Sequence, residues 1–316
     1  MKIIFVFKNT ISIYNVISNE NIKDVKYKNI DLDDDLKILE IKPYKNTLIE
    51  LYENVFLICR FVNKILILNY GTQKLYIEWT KIVTAIELYS HDELKANNNI
   101  IHINKVLIGD EEGNLSLIEI ETEYNEKKKE MNLNSLSYIH KKYKLFYSYI
   151  NEIIYNKRLN VVISSSNEGS ISINNGFSFE NINIIELNNN LNILEFKLSE
   201  YDLLYIYTKT DIENKENKYN IYCYTLNGIK VSELNTKNEY INYFTNNNSI
   251  IAITKKGDIY ECNCATLKEL ETNIGIEEED NIKNKEIIYC MNSPKLNNIF
   301  IIFNKDIKII RLNNKI

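Results

Sequence analysis

The sequence predicts an all-β chain folded as a seven-bladed β-propeller, on three observations. A short phrase recurs seven times: an apolar run, a polar turn, then an alternating strand. Successive turns fall 40 to 56 residues apart. Gly or Asn holds the turn in every copy. Self-similarity at such a period marks an array of stacked supersecondary units, and that governs the reading of everything else.

The copies follow in order. Ile3 to Phe7 turns at Asn9, and Val55 to Cys59 turns at Asn63. The clearest copy is Val106-Leu107-Ile108, the turn Gly109-Asp110-Glu111-Glu112-Gly113, then Asn114-Leu115-Ser116-Leu117-Ile118. Val161 to Ile163 turns at Gly169 into Ser170 to Ile173. Leu203 to Tyr207 is separated from Tyr219 to Tyr224 by a polar insertion, 209–218. Ile250 to Ile253 turns at Gly257, and Ile299 to Phe303 turns at Asn304. Each phrase reads as a hairpin whose Gly or Asn supplies the backbone freedom of a tight turn. The strand before the turn is apolar on both faces, as packing between neighbouring blades requires. The strand after it alternates, as expected nearer a rim.

The spacing fits blade repeats of the WD40 and kelch classes, about 40–50 residues. The pattern places one domain over 1–316, a seven-bladed WD40-like β-propeller. Its blades span approximately 36–79, 82–121, 146–187, 192–235 and 239–271, with 1–30 and 286–316 at the closure. The polar stretches 122–142 and 272–285 read as inserts between blades, the first as a loop or a short helix. The first and last segments each look three-stranded and are expected to meet.

Composition bounds the function. The chain has 316 residues, 45% hydrophobic, enough for a large core. Asn, Ile, Lys and Tyr dominate, all with A/T-rich codons, so the 23 tyrosines reflect genome composition before any aromatic surface. A net charge of −5 and a pI near 5.5 argue against a nucleic-acid partner, whose footprint is basic and clustered. The apolar stretch at the start, Ile3 to Phe7, is shorter than a secretory core. Five scattered cysteines without an export signal fit reduced thiols in a cytoplasmic setting.

No catalytic constellation stands out. Cys262-Asn263-Cys264 would put two sulfurs on one strand face, but His91, His102 and His140 lack ligand spacing to them. His140 precedes a blade, where a structural hydrogen bond is its expected role. The Asp31 to Leu36 run lacks the spacing and the Gly of a calcium loop. Gly109 to Gly113 lacks the Gly-Lys-Ser/Thr ending of a phosphate loop. Ser164-Ser165-Ser166 reads as turn chemistry. The expectation is therefore no enzyme, no cofactor, no metal and no small-molecule substrate.

Within residues 158–270, Ser164-Ser165-Ser166-Asn167-Glu168-Gly169 is followed by a polar insertion. Then come Tyr222-Cys223-Tyr224-Thr225-Leu226-Asn227-Gly228 and a compact blade ending Leu267-Lys268-Glu269-Leu270. This order resembles the C-terminal WD40 propeller of BEACH-domain proteins, the neurobeachin and beige/Chediak-Higashi class. The resemblance implies a protein-binding scaffold in vesicle traffic or on lysosome-related organelles, cytoplasmic and touching endomembranes indirectly. A WD40 scaffold subunit of a coat, tether, RNA-processing or cytoskeletal assembly is the alternative. The expected partner surfaces are the charged inserts, at Glu126, Lys127, Lys128 and Lys129 and at Glu277, Glu278, Glu279 and Asp280.

Deleting residues 307–316 is expected to bare a blade edge and cause aggregation. A soluble truncated chain with unchanged melting would refute closure through the C-terminal strands.

Overall fold

The computed structural model describes residues 2–7, 10–15, 26–31, 40–43, 57–60, 64–69, 73–78, 80–96, 99–125, 127–128, 130–187, 191–210, 218–236, 239–246, 249–255, 258–270, 287–293, 298–303 and 307–311. Among them every helix-or-strand element is a strand. The first sheet holds β1 (Lys2–Phe7), β2 (Thr10–Asn15) and β3 (Lys26–Asp31). The second holds β4 (Glu40–Pro43), β5 (Leu57–Arg60), β6 (Lys64–Asn69) and β7 (Gln73–Glu78). The third holds β8 (Val83–Ala96), β9 (Asn99–Asp110), β10 (Asn114–Asn125) and β11 (Glu130–Lys144). The fourth holds β12 (Ile150–Asn156), β13 (Val161–Ser166), β14 (Ser170–Asn175) and β15 (Asn181–Glu186). The fifth holds β16 (Leu191–Leu198), β17 (Leu203–Thr210), β18 (Lys218–Thr225) and β19 (Lys230–Thr236). The sixth holds β20 (Tyr240–Asn246), β21 (Ser249–Thr254) and β22 (Ile259–Asn263). The seventh holds β23 (Ile287–Ser293), β24 (Asn298–Phe303) and β25 (Ile307–Arg311).

In every sheet the strands lie side by side in chain order. All seven expected turns fall between two strands that pair antiparallel: β1–β2, β5–β6, β9–β10, β13–β14, β17–β18, β21–β22 and β24–β25. The chain divides into two compact units, Met1–Asn167 with Ile171–Ile182 and Glu168–Ser170 with Asn183–Ile316; the division falls within β15.

Each unit has its own core clusters. In the first, Ile77 of β7 packs with Val83, Ile86, Val106, Ile108, Ile118 and Ile120 on one face of the third sheet. The opposite face of that sheet packs Leu107, Leu115 and Leu117 against Ile150, Ile153, Val162 and Phe179. Tyr89 and Tyr155 stack at the margin of this cluster, their ring centroids 4.2 Å apart. In the second unit, Tyr205, Tyr207, Ile221 and Cys223 of the fifth sheet meet Tyr240, Tyr243, Ile250 and Ala252 of the sixth. The sixth in turn packs Phe244, Ile251 and Ile253 against Ile287, Cys290, Ile299 and Ile301. A strand caught between two such clusters is buried on both faces, as at β21, where all six residues are buried.

Four expectations change. The strand after the turn does not open to solvent at β14, where Ile171 to Asn174 are all buried. Its small polar residues are accommodated by hydrogen bonds: Ser172 Oγ donates to Asn174 Oδ1 at 2.6 Å, and Asn174 Nδ2 to the Phe179 carbonyl at 3.0 Å. Ser164-Ser165-Ser166 is the buried end of β13 itself, not part of a turn. The stretch 122–142 is mostly strand, with a turn at Lys127 and Lys128. Residues 122–125 finish β10 and 130–142 belong to β11, because the apolar-polar alternation of β10 runs on past its core segment. His140 accordingly sits inside β11, opposite Leu117, not ahead of a blade. The insert 272–285 lies outside the described residues.

The β9–β10 turn shows why its sequence is so compact. Asp110 Oδ1 accepts from the Glu112 and Asn114 amides at 3.0 and 2.9 Å, and from Asn114 Nδ2 at 3.0 Å. Gly113 has φ +79° and its carbonyl accepts from the Leu145 amide at 3.0 Å. A β-carbon there would collide with the carbonyl oxygens of Phe146 and Ser148. Gly113→Ala is therefore expected to cost about 2 kcal/mol or more of stability, from left-handed strain and steric clash together. Calorimetry checks this against Asn132→Ala, an exposed position expected to stay within about 0.5 kcal/mol.

Candidate interaction surface

The third sheet differs from the others in length. Its strands run 12 to 15 residues, whereas strands of the other sheets run 4 to 8. The added length stands at the end carrying the β8–β9 and β10–β11 turns, since the β9–β10 turn is tight. Along β10, Leu115, Leu117, Glu119, Glu121 and Glu123 share one face by strand period. The first two enter the core cluster against β12 and β13; the three glutamates lie beyond it. β9 repeats this change. Ile100, His102, Asn104 and Val106 on one face are buried out to the tip, while Ile101, Ile103 and Lys105 on the other are only partly covered. The overhang thus has one buried face and one open face.

The open face is acidic over an apolar base. Glu119, Glu121 and Glu123 stand across from Lys105, Ile103 and Ile101, and Asp92 of β8 continues the Ile103 row. Lys105 Nζ pairs with Glu119 at 3.6 Å, and Asn134 Nδ2 donates to Glu121 Oε1 at 3.2 Å. The turns at the tip are tied together. Asn125 Oδ1 accepts from the Lys127 and Lys128 amides at 3.1 and 2.9 Å, and Asn125 Nδ2 donates to Asn99 Oδ1 at 2.9 Å. Asn99 Nδ2 in turn donates to Glu123 Oε1. This chain of side-chain bonds holds the exposed Lys127 and Lys128 in an ordered turn.

Of the expected site residues, Lys127 and Lys128 are therefore placed at the overhang tip. Glu126, Lys129, Glu277, Glu278, Glu279 and Asp280 lie outside the described residues. The acidic row of β10 was missed in the sequence, where 121–130 reads as one charged run. The available signal was the unbroken period of two from Leu115 to Glu123.

The thiols of Cys223, Cys262, Cys264 and Cys290 take no part in this surface. Cys262 lies buried one residue before the end of β22, and Cys264 sits half-buried in the following turn, where Asn263 Oδ1 accepts from the Ala265 and Thr266 amides at 3.0 Å. The two sulfurs therefore do not share a strand face, because the strand ends between them. Among the described residues no three of His, Cys, Asp or Glu gather as a metal-ligand set. Burial raises the Cys223 and Cys262 thiols from 9.0 to about 11 and Cys290 to about 12. Burial also raises Tyr155, stacked on Tyr89, to about 12, and pushes Tyr205 and Tyr207 up.

With this geometry in place, comparison decides the fold class. The chain is similar in structure to BBS1N solved in complex with ARL6DN, at 12% identity and a TM-score of 0.62, covering 100% of this chain and 89% of that one. It is similar to a chain of the Mitotic Checkpoint Complex, at 10% identity and 0.62, covering 98% and 84%. It is similar to the Neurospora crassa Pan2 WD40 domain, at 10% identity and 0.56, covering 98% and 84%. The fold is that of a WD40 β-propeller. No protein-family model matches the chain, and no curated protein matches it in sequence.

The buried thiols and phenols give a pH dependence with a fixed sign. Folding favours their protonated forms, so this stabilisation is complete below pH 9 and is lost as pH climbs toward the raised values. The thermal midpoint is expected to stay level from about pH 7 to 9 and to fall between about 9 and 11. A level profile to about pH 11 would contradict the burial of these groups.

Proposed function

We propose that the chain is a non-catalytic protein-interaction scaffold that presents the overhang of its third sheet to a partner. The observation that carries this reading is the open face of that sheet: Glu119, Glu121, Glu123 and Asp92 over partly covered Ile101 and Ile103, on strands that outrun their own core. A surface of this kind suits a partner with basic side chains and an apolar anchor, since charge complementarity selects partners and desolvated apolar contacts hold them. Support also comes from structures of the same fold solved within protein complexes, BBS1N with ARL6DN and the Mitotic Checkpoint Complex. WD40 propellers are in general a scaffold fold, which favours a binding role over catalysis.

The finer reading, a propeller of the BEACH class acting in membrane traffic beside endomembranes, rests on the resemblance of residues 158–270. Subunit membership of another assembly remains the alternative, and an endogenous partner identified at the overhang separates the two.

Affinity capture with the whole chain tests the reading. Glu121→Lys with Glu123→Lys is expected to reduce capture of overhang partners at least about tenfold, as like charges then face a basic partner. Lys127→Glu with Lys128→Glu tests the tip. Lys230→Glu, at an exposed ion pair with Glu233 in the other unit, should leave capture unchanged. Equal capture by all three variants would overturn the overhang as the docking surface.

A further inference from the structure

Three side chains of the fifth sheet meet one turn of the sixth. Tyr205, Cys223 and Ser232 stand side by side on β17, β18 and β19, Tyr205 paired with Cys223 and Cys223 with Ser232. Against them lies the turn that follows β22. Tyr205 Oη donates to the Cys264 carbonyl at 2.8 Å, and Cys223 Sγ lies 4.0 Å from that same oxygen. Ser232 Oγ donates to the Ala265 carbonyl at 2.5 Å. The two hydroxyls thus hold the turn over the Cys223 sulfur. The Cys264 side chain packs against the cluster that contains Tyr205 and Cys223. Two free thiols therefore share one contact between the two sheets.

The two thiols differ in access. Cys223 is fully buried, and Cys264 is half-buried. Burial, with the neighbouring Cys264 thiol adding to it, raises Cys223 to about 11, so Cys223 stays protonated at neutral pH. A small oxidant arriving from solvent meets Cys264 first. Cys264 follows the last residue of β22 and is not part of the strand ladder. The adjustment that brings the two β-carbons to the roughly 3.8 Å of a disulfide falls on the torsions of that turn and leaves the paired strands in place.

We propose that Cys223 and Cys264 form a reversible disulfide when the chain meets hydrogen peroxide, a redox-sensitive clamp between the fifth and sixth sheets. The Cys264 sulfur attacks one peroxide oxygen, the O–O bond breaks, and the leaving hydroxide departs as water with the thiol proton. The Cys223 sulfur then attacks the resulting sulfenic sulfur, the S–O bond breaks, and a second water carries off the Cys223 proton. One peroxide is reduced by two electrons, drawn from the two thiols. A dithiol reductant reverses the step through thiol–disulfide exchange. The clamp lies wholly in the second unit and does not rest on the overhang of the third sheet, so cross-linking and partner capture succeed or fail separately.

Peptide mapping of the purified whole chain tests it. The folded chain is treated with hydrogen peroxide, its remaining thiols are alkylated, and it is digested. The expected product joins the peptides of Cys223 and Cys264, and dithiothreitol releases them. Cys264→Ser is expected to abolish this product, and Cys262→Ser to retain it. In Cys223→Ser, Cys264 is expected to stop at the sulfenic acid, which dimedone labels. Should Cys223→Ser fail to fold, the product of the unaltered chain and its loss in Cys264→Ser decide the matter. A product joining Cys262 to Cys264, chains joined to one another through Cys264, or Cys264 oxidised to sulfinic acid while Cys223 remains a free thiol overturns the proposal. So does a treated chain in which both thiols remain free.

Discussion

A strand such as β21, buried on both faces and hydrogen-bonded along both edges, cannot be stable except between neighbours that cover it. That mutual covering is the constraint on which the structure depends. The third sheet meets the Ile77 cluster on one face and the β12–β13 cluster on the other, so its central residues answer to two separate packing surfaces. The sixth sheet stands in the same position between the Tyr205 and Ile287 clusters. Because apolar burial is non-directional, such an arrangement asks for apolar volume at the right places and little else. Solved structures sharing the fold at 10–12% identity are consistent with so permissive a requirement.

The same permissiveness explains what could be read in the chain beforehand. Hairpins are local, and a run such as Val106-Leu107-Ile108 followed by Asp110 to Gly113 declares itself within a dozen residues. All seven such pairings occur, even where Asn stands for Gly. Burial is not local. Whether Ser172 or Asn174 faces water depends on a sheet elsewhere in the chain, and a period of two says only that they share a face. The overhang was lost for a related reason. Glu121 to Glu130 looks like a solvated loop when its charge is counted, and like a continuing strand when its alternation is followed. Charge density and strand period gave opposite answers there, and cross-strand pairing with β9 and β11 decided for the strand.

The change of residue type along one face of β10 also shows where packing ends. Leu117 is the last residue of its row to need cover, and Glu119 the first to need water. The boundary between core and exposed surface is thus written into alternate positions of a single strand, while the reverse face stays buried through Ile118, Ile120 and Thr122.

The bond between Asn99 and Asn125 has a mechanical consequence. Beyond Leu117, β10 runs on for about 20 Å with only its reverse face packed, taking a strand rise of about 3.3 Å per residue. Ladder hydrogen bonds lie across the strands. A load applied at Lys127 along the strand axis is passed through the Asn125–Asn99 link into β9, so it shears several ladders at once. The β9–β10 ladder already joins the two strands out to Asn99 and Asn125, and the side-chain link reinforces its last pair. Ladder and clasp together make the overhang a beam rather than a flap.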